Sequence, residues 1–135
     1  MSDSKIALIL RDDLAPWQAL NVTAFLSGGL AGQFPDLLGE PYVDATGVRY
    51  NRLPVQPVIV LSADADTLVA IHRRVLEKGI VCSLYVDDMF ATGNDRDNRA
   101  VFARHSVDDA RVVGIGLRAG RKQVDKITRG ASLHR

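Results

Sequence analysis

The stretch Lys5-Ile6-Ala7-Leu8-Ile9-Leu10, followed by the turn Arg11-Asp12-Asp13-Leu14-Ala15-Pro16 and the long segment from Trp17 to Gly32, decides the fold. The first run is short, nearly all apolar and rich in branched side chains, which is the signature of a buried strand. Arg11-Asp12-Asp13 interrupts it, and Pro16 stands where the first turn of a helix tolerates a missing N–H. From Trp17 onward apolar residues recur at helical spacing. A strand that feeds a helix across such a turn puts the turn at its carboxyl end, where open α/β sheets hold their ligands.

Ser27-Gly28-Gly29 sits inside that helix, although each interior glycine costs about 1 kcal/mol relative to alanine. Leu30 and Ala31 continue the apolar face, so the helix is expected to run to about Gly32, with the glycines admitting a close neighbour. Phe34 to Gly39 then reads as a single turn. Tyr42 to Tyr50 reads as a small hairpin around Asp44-Ala45-Thr46-Gly47. Pro41, Pro54 and Pro57 exclude a central strand here, so residues 40–57 are expected to form an excursion at the sheet edge.

Val58-Ile59-Val60-Leu61 is a second buried strand. Asp64 is an N-cap, Leu68, Ile71, Val75 and Leu76 form an apolar stripe, and Gly79 follows Lys78 as a stop. His72 lies beside that stripe and reads as a packing residue, since no Cys or second His stands at metal-ligand spacing. Ile80 to Val86 is a third strand, expected inside the sheet and not at its edge. The unit from Val58 to Val86 has the size of a crossover between parallel strands. Asn94 caps a helix reaching about His105, with Val101 and Phe102 inward and the charges of Asp95 to Arg99 outward. Arg111 to Leu117 is the last strand, its glycines marking close backbone approach. A short helix from Gln123 to Arg129 ends at Gly130. The fold expected is α/β with three layers (α/β/α) and a four-stranded mixed sheet, all of residues 1–135 forming one domain.

Composition narrows the function classes. The chain has 135 residues, 47% hydrophobic and 24% charged, with a net charge of +1. That balance gives no general attraction to nucleic acid or to an anionic membrane. The single Cys82 has no intramolecular partner and fits a reducing, cytoplasmic setting. Met1-Ser2-Asp3-Ser4 lacks the character of a signal peptide, and no apolar run is long enough to span a bilayer.

Arg11, Asp13 and Leu14 after strand one, with Val22-Thr23-Ala24 in the first helix, resemble the opening of a type-II peptidyl-tRNA hydrolase. Ala63-Asp64 with Thr67-Leu68, Ser83-Leu84 with Asp87, Val113-Gly114-Ile115-Gly116 and Val124 to Gly130 resemble later parts of the same family in order. The chain is more similar still to a related group of small uncharacterised bacterial proteins on that scaffold. The resemblance implies a peptidyl-tRNA hydrolase II-like fold and a homodimer; separately, Tyr42, Val43, Val48 and Tyr50 on the excursion read as an exposed apolar contact patch.

The departures from that family matter most. Asn21 or Leu20 stands where the family has its catalytic lysine, and Gly28 or Ser27 where it has a histidine. Met89-Phe90-Ala91 replaces a glycine-arginine element. Only the acidic residue after strand three is matched, by Asp87. Losing the cation removes much of the stabilisation of an oxyanion, and balanced charge disfavours tRNA. Two readings therefore stand. One is a hydrolase of a small acyl, amide or ester substrate, with Asp87 catalytic and Asn21, Thr23, Asp88, Thr92 and Arg11 binding substrate. The other is a noncatalytic ligand-binding or assembly module. Neither calls for a metal or a cofactor. In both, Asp87 and Asp88 are expected to face Asn21 across a shallow cleft.

Overall fold

The computed structural model describes residues 3–135; Met1 and Ser2, part of the stretch lacking signal-peptide character, lie outside the described residues. Strand β1 (Ser4–Arg11) is the centre of the main sheet. It is followed by α1 (Pro16–Gln33), β2 (Leu38–Val43), β3 (Arg49–Pro54), β4 (Val58–Ala63) and α2 (Ala65–Glu77). Then come β5 (Ser83–Val86), a 3-10 turn (Asp87–Ala91), α3 (Asp95–Phe102), β6 (Val112–Gly120), α4 (Arg121–Ile127) and β7 (Ser132–Leu133). Helix α1 does run through the glycines to Gln33.

The main sheet has the order β5-β6-β1-β4-β7 and is mixed. β1 pairs in parallel with β4, from Ile6 opposite Val58 to Arg11 opposite Ala63, and antiparallel with β6, from Ser4 opposite Gly120 to Leu10 opposite Gly114. Side chains alternate across a strand, so β1 divides its apolar residues between two cores. Ile6, Leu8 and Leu10 meet Ala19, Val22, Leu26 and Leu30 of α1. Ala7 and Ile9 meet Leu68, Ile71 and Val75 of α2 and Val124 and Ile127 of α4. The result is three layers, helix over sheet over helices.

Three expectations need correction. The main sheet has five strands, because Ser132 and Leu133 pair with Ser62 and Leu61. A two-residue strand carries no periodicity for the sequence to reveal. Ile80–Val86 shortens to β5 and lies at the sheet edge, bonded to β6 alone. Its first residues are consumed by the end of α2: Gly79 (φ +67°) donates to the Leu76 carbonyl and Ile80 to that of Val75, a Schellman stop. Apolar runs report burial of a strand's faces, not of its hydrogen-bonding edges. β4 and β5 do point the same way, but β6 and β1 lie between them.

The third correction concerns the excursion. β2 and β3 form their own two-stranded sheet, separate from the main one. Asp44 builds its turn, accepting from the Thr46 hydroxyl and from the amides of Val48 and Thr46, and these bonds hold its carboxyl below the usual range. The arm is anchored at both roots by Arg118, a charged residue buried in β6. Its Nη1 donates to Asp36 (2.7 Å), its Nη2 to Gln56 Oε1 (3.1 Å), and its guanidinium stacks on Phe34.

α1 lies close on the sheet at Gly114 and Gly116. A Cβ on Gly114 would run into Val22 Cγ1 and stand 3.1 Å from Leu26 Cδ1; one on Gly116 would stand 3.1 Å from Leu26 Cβ. Gly29 of α1 likewise faces the Ser83 side chain, whereas Gly28 faces open space. Gly114→Ala is therefore expected to cost about 1–3 kcal/mol by overpacking. Gly28→Ala is expected to gain up to about 1 kcal/mol from helix propensity. Urea denaturation of both variants reads the opposite signs.

Candidate functional site

β1, β4 and β5 run in one direction, so Arg11, Ala63 and Val86 share an end of the sheet. Tyr85, on the α1 side of β5, is nearly buried. Asn21 Nδ2 donates to its hydroxyl (3.3 Å). Burial pushes the Tyr85 phenol pKa up, and the Asn21 bond partly opposes this. Around the pair stands a continuous aromatic wall. Trp17 meets Phe90 edge-on (centroids 5.8 Å), Phe90 leans on Tyr85 (5.0 Å), and Tyr85 meets Phe25 edge-on (5.6 Å). Such tilted and edge contacts are favoured by the ring quadrupoles.

The wall bounds an open cleft of about 550 Å³, closed on the far side by Thr92, Gly93, Asn94, Asp95 and Asn98. The Thr92 hydroxyl donates to the Met89 carbonyl (3.0 Å) and touches the Asn98 side chain. Asn94 caps α3 by accepting from the Asp97 amide (2.9 Å). Asp95, the charged residue of the lining, is paired with Arg99 one turn on (2.7 Å). Among the described residues, no lysine, arginine or histidine lines the cleft.

Of the residues named from sequence, Asn21 and Thr92 come together in this cleft, while Asp87, Asp88, Thr23 and Arg11 do not line it. The Thr23 hydroxyl donates to the Ala19 carbonyl within α1 (2.7 Å). Arg11 pairs with Asp13. Asp87 donates its amide to the Arg111 carbonyl (2.9 Å), and its carboxylate lies 3.8 Å from the Arg111 guanidinium. Asp88 accepts from His105 Nε2 (2.8 Å). Three residues make one turn of a 3-10 helix. Along it, Met89 and Phe90 line the cleft beside α1, whereas Asp88 bonds His105 and Asp87 lies near Arg111. His105 was not legible as Asp88's partner, since 17 positions separate them with no local pattern. α3 also ends at Phe102, short of His105, and Phe102, expected inward, is 41% exposed.

A family model described as "Protein of unknown function (DUF2000)" matches residues 4–135. The chain belongs to the DUF2000 family. Among solved structures, that of the protein of unknown function Atu0240 from Agrobacterium tumefaciens strain C58 is similar to it. The two are 56% identical, with 100% of each chain covered and a TM-score of 0.97. No curated protein matches. Among the described residues of this DUF2000 protein, no helix is long and apolar enough to cross a membrane. Nor do three or more metal-ligating His, Cys, Asp or Glu side chains converge.

His72 on α2 is a buried packing residue, only 6% exposed, and burial pulls its pKa below the ordinary histidine value. The unfolded chain then binds the extra proton first as acid is added. His72 thus contributes stability that is present above about pH 6.5 and lost as pH falls through the lower folded value. Thermal melts between pH 7.5 and 5 are expected to show a smaller acid-side drop for His72→Leu than for the unaltered DUF2000 protein.

Proposed function

We propose that this DUF2000 protein is a small-molecule-binding module whose cleft takes a planar, uncharged molecule with an amide-like edge. The observation carrying this reading is the lining itself: four aromatic rings in continuous contact, flanked by the amides of Asn21, Asn94 and Asn98, without an unpaired charge. Apolar walls with a few placed hydrogen-bonding groups are the usual make-up of ligand sites. The scaffold is read as peptidyl-tRNA hydrolase II-like from the ordered motifs around Arg11, Asp64, Asp87, Gly114 and Val124. Cleavage of peptidyl-tRNA itself is disfavoured by the lack of a cation in the lining.

The second reading is hydrolysis of a small acyl, amide or ester substrate. It draws on Asp87, whose side chain is about a third exposed and which begins the same turn that carries Met89 and Phe90 into the cleft. Trp17, the one tryptophan, reports on the site. Benzamide is expected to shift its indole N–H resonance saturably. Asn21→Leu should weaken that binding about tenfold through loss of a hydrogen bond. No saturable shift at Trp17 overturns the module. Turnover of p-nitrophenyl acetate that is lost in Asp87→Asn, with benzamide binding retained, transfers the assignment to the hydrolase.

Assembly as a homodimer and a cytoplasmic location complete the proposal. Tyr42, Val43, Val48 and Tyr50 are all about half exposed on the arm, and a two-stranded hairpin is marginal by itself. Burial raises the Cys82 thiol pKa, which suits an inert free cysteine in a reducing compartment. Sedimentation at micromolar concentration is expected to give a dimer, and Tyr42→Ser with Tyr50→Ser a monomer.

A further inference from the structure

We propose a second small-molecule site, on the opposite face of β5 from the aromatic cleft, that takes a small aryl alcohol with its hydroxyl hydrogen-bonded to His72. β5 alternates: Tyr85 faces α1, whereas Leu84 and Val86 face a separate pocket of about 390 Å³. Phe102, Val107 and Ala110 supply the rest of its apolar wall, and His72, His105 and Ser106 its polar groups. The floor is built from α2, whereas the mouth is formed by residues 102–110.

His72 is the telling residue. It is 94% buried by its 6% exposure, yet no side chain or carbonyl among the described residues is hydrogen-bonded to its ring. Its ring nitrogens are also absent from the fully enclosed unpartnered atoms, of which Arg118 Nε is the one found. What little of the ring is reachable therefore includes those nitrogens, and His72 is one of the residues that line this pocket. A neutral imidazole presents one donor and one acceptor. A hydroxyl, donor and acceptor at once, complements it.

His105 narrows the ligand class. Its Nε2–H donates to Asp88 (2.8 Å), and its Nδ1 lies 3.8 Å from Asp109. The Asp88 and Asp109 carboxylates beside the ring disfavour an anion as occupant. Phe102, Leu84, Val86 and Val107 suit an aryl ring, and the volume falls in the range of small-ligand pockets.

The test uses phenol, with toluene as the same ring without a hydroxyl. Phenol is expected to shift the ring C–H resonances of His72 and His105 saturably, about tenfold more tightly than toluene. That preference should vanish in His72→Leu. Should His72→Leu fail to fold, Val107→Trp, at an exposed wall position, fills the pocket and abolishes binding. Equal affinity for phenol and toluene overturns the proposal. So does a shift confined to Trp17, or binding that survives Val107→Trp.

Discussion

Val22 and Leu26 rest directly on Gly114 and Gly116, and this contact sets the height of α1 above the sheet. With any side chain at those positions the helix would have to lift or tilt. Trp17, Asn21 and Phe25 reach sideways to Phe90 and Tyr85 only because the helix lies this low at the β5 side of the sheet. The aromatic wall is thus a consequence of two missing side chains on a strand that does not itself line the cleft.

The edge strand β5 organises the chemistry on both sides. Its alternation sends Tyr85 one way and Leu84 and Val86 the other, and the 3-10 turn that follows repeats the division with Phe90 and Asp88. Acidic and aromatic residues that are neighbours in the chain end in separate environments. This separation removes Asp87 and Asp88 from the cleft. It places one of them against a histidine instead.

Much of the framework was legible because burial leaves periodic marks. β1, β4 and β6, α1 with its interior glycines, the Asp64 and Asn94 caps and the Gly79 stop all follow from residue type and spacing. β7 was not legible, since two residues carry no period. The edge position of β5 was hidden because an apolar run reports buried faces whatever lies beside the strand. Arg118 was hidden because a charge in a strand reads as a strand end, whereas here Asp36, Gln56 and Phe34 compensate it. Asn21 and Thr92 line one cleft, but the pairing of Asp88 with His105 depends on the path of the chain between them. Spacing alone cannot supply that.

Arg118 holds Asp36 and Gln56 together at the base of the arm, so the polypeptide enters and leaves the arm at one fixed point. Between those residues nothing sets the register of the main sheet, because β2 and β3 pair only with each other. Loop closure costs grow slowly with length. Leu37 at its base belongs to the α1-side core, but beyond it the hairpin is a modular appendage, a place where segments can be grafted or trimmed while the cleft and the two cores keep their shape.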